Sequence, residues 1–160
     1  MAVRGIEEGV IRRDSLLRNI AIALSFIGVI DSAYLTWIKL SHQESRCIVG
    51  LGDCFSVNTS RFSSISGVPV ALIGLIGYLL ILVLLLIETR NEEWRSNISL
   101  AVFGLTFFGT LFSAYLTYLE IAVIRAICPY CVVSASIMLI LFVISIVRLT
   151  MPASEAQSIN

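Results

Sequence analysis

Charge is the scarcest commodity in this chain. Only 11 basic and 11 acidic residues occur among 160, or 14%, and they cancel to a net charge of zero. A soluble domain carries about 25% charged residues and roughly 45–50% apolar ones. Here the apolar share is 58% and the mean hydropathy is +0.93, which identifies an integral membrane protein. A neutral chain offers no basis for binding nucleic acid. Histidine is nearly absent too: His42 stands alone, in a polar stretch where it reads as a solvated loop residue. A cleavable signal peptide is not expected, because the first apolar segment is longer than a signal core and no small-residue cleavage site follows it. With so few reactive side chains, the four cysteines, Cys47, Cys54, Cys128 and Cys131, are the obvious chemistry.

What is abundant is apolar sequence in four runs. Asn19–Leu40, Val68–Ile87, Asn97–Leu119 and Pro129–Leu149 are each near the ~20 residues needed to cross about 30 Å of hydrocarbon. The expected fold is an all-α membrane protein, a four-transmembrane-helix bundle. Residues 1–18 form an N-terminal segment and 19–149 the membrane domain, which includes a long loop, 41–67, between the first two helices. Residues 150–160 form a polar tail. With four crossings both termini share one side. That side holds Arg4, Arg12, Arg13, Arg18, Arg90, Arg95 and Arg148, and the other holds Lys39, Arg46, Arg61 and Arg125. Basic residues favour the cytoplasm, and those preceding the first helix usually dominate. Cytoplasmic termini are therefore expected, in a plasma (inner) membrane, with all four cysteines at the outer face, where disulfides persist.

A short repeat supports this layout. Ser32-Ala33-Tyr34-Leu35-Thr36 recurs as Ser113-Ala114-Tyr115-Leu116-Thr117, and in both copies a cysteine follows the Thr by eleven residues. Each half is then a helix, a cysteine pair and a helix. Small residues in the motif let helices approach closely, so Tyr34 and Tyr115 are read as packing residues.

Cys128-Pro129-Tyr130-Cys131 sits at the head of the fourth run. Proline at the first helical position makes Cys128 the expected N-cap, its sulfur near the unpaired N–H groups, which lowers a thiol pKa. Cys131 lies one turn further in, on the same side. Cys47 and Cys54 have six residues between them in a polar loop, a span that closes readily into a disulfide. Alone that pair reads as a staple; beside a C-x-x-C on the same face it reads as an exchange partner. Zinc is the alternative for four cysteines, but only one pair has zinc-ribbon-like spacing. Asp31, about nine residues from the outer helix end, is deep for an acid. A hydrogen bond to a neighbouring helix is favoured over proton delivery. Arg125 is expected to anchor its helix at the head groups.

The order of a loop cysteine pair, a downstream serine, Gly67-Val68-Pro69 at the start of the second helix and C-P-Y-C at the head of the fourth resembles the vitamin K epoxide reductase family, in its prokaryotic, disulfide-forming branch. The resemblance covers roughly Asn19 to Leu149. The bacterial disulfide-bond protein B family has the two cysteine pairs in the reverse order. The resemblance implies a membrane thiol:quinone oxidoreductase that drives disulfide-bond formation. Cys128 and Cys131 would be the quinone-side pair, Cys131 touching the quinone. Cys54 would reach Cys128 and Cys47 would meet the partner. Ser60 matches the family's serine near the quinone head group, and the apolar candidates for that pocket are Phe55, Phe62, Ile65 and Leu72. Ala135 stands where animal enzymes carry a tyrosine, which weakens vitamin K epoxide reduction as the alternative activity. The implied cosubstrate is a lipid-soluble quinone of the ubiquinone, menaquinone or vitamin K type. Because the chain ends at Asn160 without a fused thioredoxin-like domain, a separate thioredoxin-like protein is the expected partner. A non-catalytic four-span scaffold with structural disulfides is the reading from a different class.

Overall fold

The computed structural model describes residues 2–41, 57, 60, 63–65, 67–90 and 94–151, with side chains of the first helix from Arg12 onward. Cys47, Cys54, Phe55 and Phe62 lie outside the described residues, as does the side chain of Ile65. Among the described residues four helices are long and apolar enough to span a membrane, over Arg12–Leu40, Val70–Glu88, Arg95–Ile124 and Pro129–Thr150. The helix α1 (Ala2–Leu40) leads to a small hairpin, β1 (Ser64–Ile65) and β2 (Val68–Pro69). Then come α2 (Val70–Glu88), α3 (Arg95–Tyr118, prolonged by a π-helical turn over Leu119–Ile124) and α4 (Pro129–Thr150). Neighbours pack in the ring α1–α2–α3–α4–α1, which leaves α1 and α3 diagonally opposed.

Two helix ends differ from the sequence expectation. The first helix starts at Ala2 rather than Asn19, running without a break through the polar N-terminal segment. Its 39 residues measure about 58 Å, nearly twice the hydrocarbon thickness. The third extends through Ile124 rather than stopping at Leu119.

The outer surface of the bundle is apolar: Trp37, Leu100, Phe108, Leu111 and Val143 are all at least half exposed. Faces this extensive are found in soluble monomers only at interaction sites; around four spanning helices they are the lipid-facing surface. Inside, the bundle has two unlike halves. Ala21, Leu85, Ile98, Val102, Leu141 and Ile144 fill the half nearer the termini as a packed core. The half nearer the cysteines is hollow, and Tyr78, Ile81 and Met138 line the boundary. Tyr78, 1% exposed, fixes that boundary by donating its hydroxyl to the Ser134 carbonyl at 2.7 Å, joining α2 to α4. Its ring lies over Gly28, where a Cβ would come within 2.5 Å of it, so α1 accepts only glycine there.

The terminal end is clasped by charge. Each helix gives one residue: Asp14 from α1, Glu88 from α2, Arg95 from α3 and Arg148 from α4. Arg148 donates through Nε to Asp14 at 2.9 Å and through Nη1 to Glu88 at 3.2 Å, with its other Nη closing a fork on Glu88. Arg95 pairs with Asp14 and stands 3.8 Å from Glu88. Glu88 and Arg148 are buried.

Candidate functional site

The hollow half of the bundle holds a cavity of about 370 Å³, within the range of ligand pockets. Most of its wall is aliphatic and aromatic, from Leu35, Val70, Ile73, Ile81, Leu105, Phe108, Phe112 and Leu116. Its polar groups are few: Ser32, Ser60, Ser63, Tyr78, Ser113, Thr117, Glu120, Ser134 and the two thiols, Cys128 and Cys131. The repeat motif accounts for two opposed patches of this wall. Ser32 and Leu35 face it from α1, Ser113 and Leu116 from α3, across the diagonal. In both copies the threonine hydroxyl folds back on the serine carbonyl, Thr36 to Ser32 at 2.7 Å and Thr117 to Ser113 at 2.9 Å. This spares each hydroxyl an unpaired donor in an apolar setting. Tyr34 and Tyr115 do not line the cavity and are 41% and 54% exposed, so neither is packed into the bundle interior. Tyr34 meets the ring of Tyr130, 5.3 Å between centroids, so the first copy also braces the C-P-Y-C segment.

Val57, Ser60 and Ser63, from the segment before β1, border one side. Ser60 donates to the Val57 carbonyl at 2.8 Å, and Ser63 donates to the Ser60 carbonyl at 2.7 Å. The Lys39 ammonium, at the end of α1, holds Ser63 Oγ at 2.6 Å. Gly67, at φ +85°, turns the chain from β1 into β2, a backbone that a side chain would strain. Pro69 then caps α2. Ser60 and Ala135 both line the cavity, whereas Leu72 does not; its neighbours Ala71 and Ile73 do.

The thiols are placed by the end of α3. In the π-helical turn the Glu120 carbonyl accepts N–H groups from both Arg125 and Ala126, the second at 3.2 Å. Arg125 takes the left-handed conformation, φ 55°, and the chain reverses there. Such a residue costs about 1–3 kcal/mol and persists only where its surroundings enforce it. The reversal brings Cys128 back over the turn, where its N–H donates to Glu120 Oε2 at 3.3 Å. Cys128 is the extended N-cap of α4 with proline behind it, as its sequence predicts. Arg125 thus shapes the backbone at the reversal.

Cys128 and Cys131 are both free thiols, Cys128 2% exposed and Cys131 half-buried. The neighbouring Cys131 thiol holds Cys128 below the ordinary thiol range, against its burial. The N–H groups of Cys131 and Tyr130 add to the effect, and the Glu120 carboxylate opposes it. The sulfur makes no close capping bond, so the neighbouring thiol outweighs the helix end. A depressed pKa means more thiolate at neutral pH. Alkylation of Cys128 by N-ethylmaleimide in the reduced protein, mapped by mass spectrometry across pH, is expected to show a midpoint below the ~8.5 of a free cysteine. Cys131→Ala should move that midpoint up; a wild-type midpoint at or above the free value would contradict the arrangement.

Glu120 is the residue that sequence reasoning missed. It is 5% exposed, accepts the Cys128 N–H, has the Cys131 thiol as a neighbour, and forms no ion pair among the described residues. An acid flanked by Leu119 and Ile121, eight residues before a C-x-x-C, was the available signal. Asp31 is half-buried, and its Oδ2 makes no hydrogen bond among the described residues, so the expected bond to a neighbouring helix is not formed.

Comparison with known proteins shows the family. Residues 19–146 match the family model for the vitamin K epoxide reductase family. The thiol-disulfide oxidoreductase LTO1 of Arabidopsis thaliana is 34% identical over 123 residues, 74% of this chain. The chain spans 33% of the length of that relative.

Proposed function

The chain belongs to the vitamin K epoxide reductase family, and from that premise we propose that it is a membrane thiol oxidoreductase that passes electrons from a protein dithiol to a quinone. The observation that carries this reading is a C-x-x-C dithiol set in the wall of an apolar cavity among membrane-spanning helices. A soluble disulfide enzyme has no route for a lipid-borne acceptor. Here the thiols border a space fitted to an apolar ring with a few hydroxyls to orient it.

The chemistry balances in two exchanges. In the first, Cys128 and Cys131 give up two electrons and two protons to the quinone, forming a disulfide and a hydroquinone. In the second, an incoming dithiol reduces that disulfide by thiolate attack and becomes oxidised. Cys128, the more acidic thiol, is the one that exchanges with the incoming pair, for which Cys54 and Cys47 are the candidates. Cys131, one turn deeper, faces the quinone. Ser60 and Ala135 border the head group, and a thioredoxin-like protein supplies the electrons. Disulfide formation in a compartment outside the cytoplasm is the outcome.

Ala135 presents only a methyl group to the cavity, which gives no hydroxyl for the epoxide reaction. The purified full chain in lipid nanodiscs, supplied with dithiothreitol, is expected to reduce ubiquinone or menaquinone at least ten times faster than vitamin K epoxide. Failure to reduce any quinone would sink the proposal, and preference for the epoxide would replace it with the alternative activity.

A further inference from the structure

A carboxylic acid sealed among apolar side chains is costly in a spanning segment, and Glu120 has no cation to offset it among the described residues. Its surroundings are the two thiols. Its Oε2 accepts the Cys128 N–H at 3.3 Å, the Cys131 thiol is its other polar neighbour, and all three residues line the same cavity. The other titratable groups around the C-P-Y-C segment are Tyr34, Tyr130, Asp31 and Arg125, and none of their side chains hydrogen-bonds Glu120 among the described residues. The π-helical turn and the left-handed Arg125 hold this geometry, and π turns of this kind are frequent at functional sites.

We infer that Glu120 is the proton acceptor for the Cys131 thiol when the dithiol is oxidised. The inference rests on the quinone-linked reading above and adds a catalytic group to it. As the Cys128–Cys131 bond forms, the S–H bond of Cys131 breaks and its proton passes to the Glu120 carboxylate. The two electrons leave with the quinone. The hydroquinone takes one proton from Glu120 and the other from the proton released by Cys128. Glu120 is left as the carboxylate, ready for the next turnover.

Glu120→Gln keeps an oxygen for the Cys128 N–H but cannot accept a proton. In nanodiscs, with dithiothreitol and a short-chain ubiquinone, this variant is expected to lose about 10²–10⁴-fold in kcat, the usual contribution of a positioned acid or base. Its KM for the quinone should stay within about twofold. Its log kcat should climb with pH at a slope near one, as hydroxide replaces the missing base, and Glu120→Asp should recover part of the loss. A Gln variant within threefold of wild type across pH 6 to 9 would overturn the inference, as would an equal loss at every pH. A second readout needs no quinone. A dipyridyl disulfide reacts first with Cys128 and is then displaced by Cys131, releasing two chromophores in sequence. Glu120→Gln should slow the second release at least tenfold and leave the first unchanged. If wild type reduces no quinone, the redox reading fails, and this second release alone decides the role of Glu120.

Discussion

Replacing Cys131 by serine is expected to abolish thiol-dependent quinone reduction while the bundle stays folded. The side chain is half-buried in the cavity wall and serine is nearly isosteric with it, so packing changes little. What disappears is the sulfur that must close the bond to Cys128. Activity should drop by about 10³-fold or more, as expected when a covalent group is removed from a pair that acts as a unit. Cys128 remains able to exchange, and with no partner to resolve the mixed disulfide it should accumulate as a Cys54–Cys128 bond. Non-reducing peptide mapping would detect that species, and adding Cys54→Ser should remove it. Persistent quinone reduction by Cys131→Ser, with wild-type dependence on thiol, would refute the relay and favour a scaffold with incidental thiols.

The second large effect lies at the other end of the molecule. Arg148→Met should destabilise the protein by about 3–5 kcal/mol, the cost of breaking a buried ion pair by deleting one partner. The guanidinium hydrogen-bonds Asp14 and Glu88 together, and its loss leaves Glu88 facing only Arg95 at 3.8 Å. In detergent, Tm is expected to fall by on the order of 10 °C. Arg95→Met should cost less than half as much, because that side chain is 39% exposed and water competes for it. Combining Arg148→Met with Glu88→Gln should recover much of the loss, since the remaining Asp14 and Arg95 then neutralise each other. A single Arg148→Met variant with unchanged Tm would mean that the cluster contributes nothing to stability.

The sequence made the four spans and the head of α4 plain, for physical reasons. Twenty-residue apolar runs have one stable use, and proline after Cys128 sets both the cap and the helix start. Ser60 and Ala135 emerged from the resemblance and the two thiols from the C-P-Y-C segment itself, and all four line one cavity. Glu120 stayed hidden because the third helix was ended at Leu119, which left the acid in a brief connecting turn, Glu120–Ala126, where it needed no explanation. The π-helical continuation depends on long-range packing and on a left-handed Arg125, neither of which local propensity reveals. The charge cluster was hidden for a related reason. Arg95 and Arg148 lie where head-group anchors lie, and they were read only as markers of topology. Pairing them with Asp14 and Glu88 requires knowing which helices meet.

That cluster bears on how the two repeat halves recognise each other. The first half, α1 and α2, brings two negative charges to it, Asp14 and Glu88; the second, α3 and α4, brings two positive ones, Arg95 and Arg148. Two copies of the first half meeting in the same way would gather four acids, and two copies of the second four guanidiniums. Either assembly would bury like charges, whereas one half of each kind neutralises both. Two hairpins with matching motifs therefore have a reason to choose each other over a duplicate of themselves. The clasp enforces heterotypic pairing within a single chain.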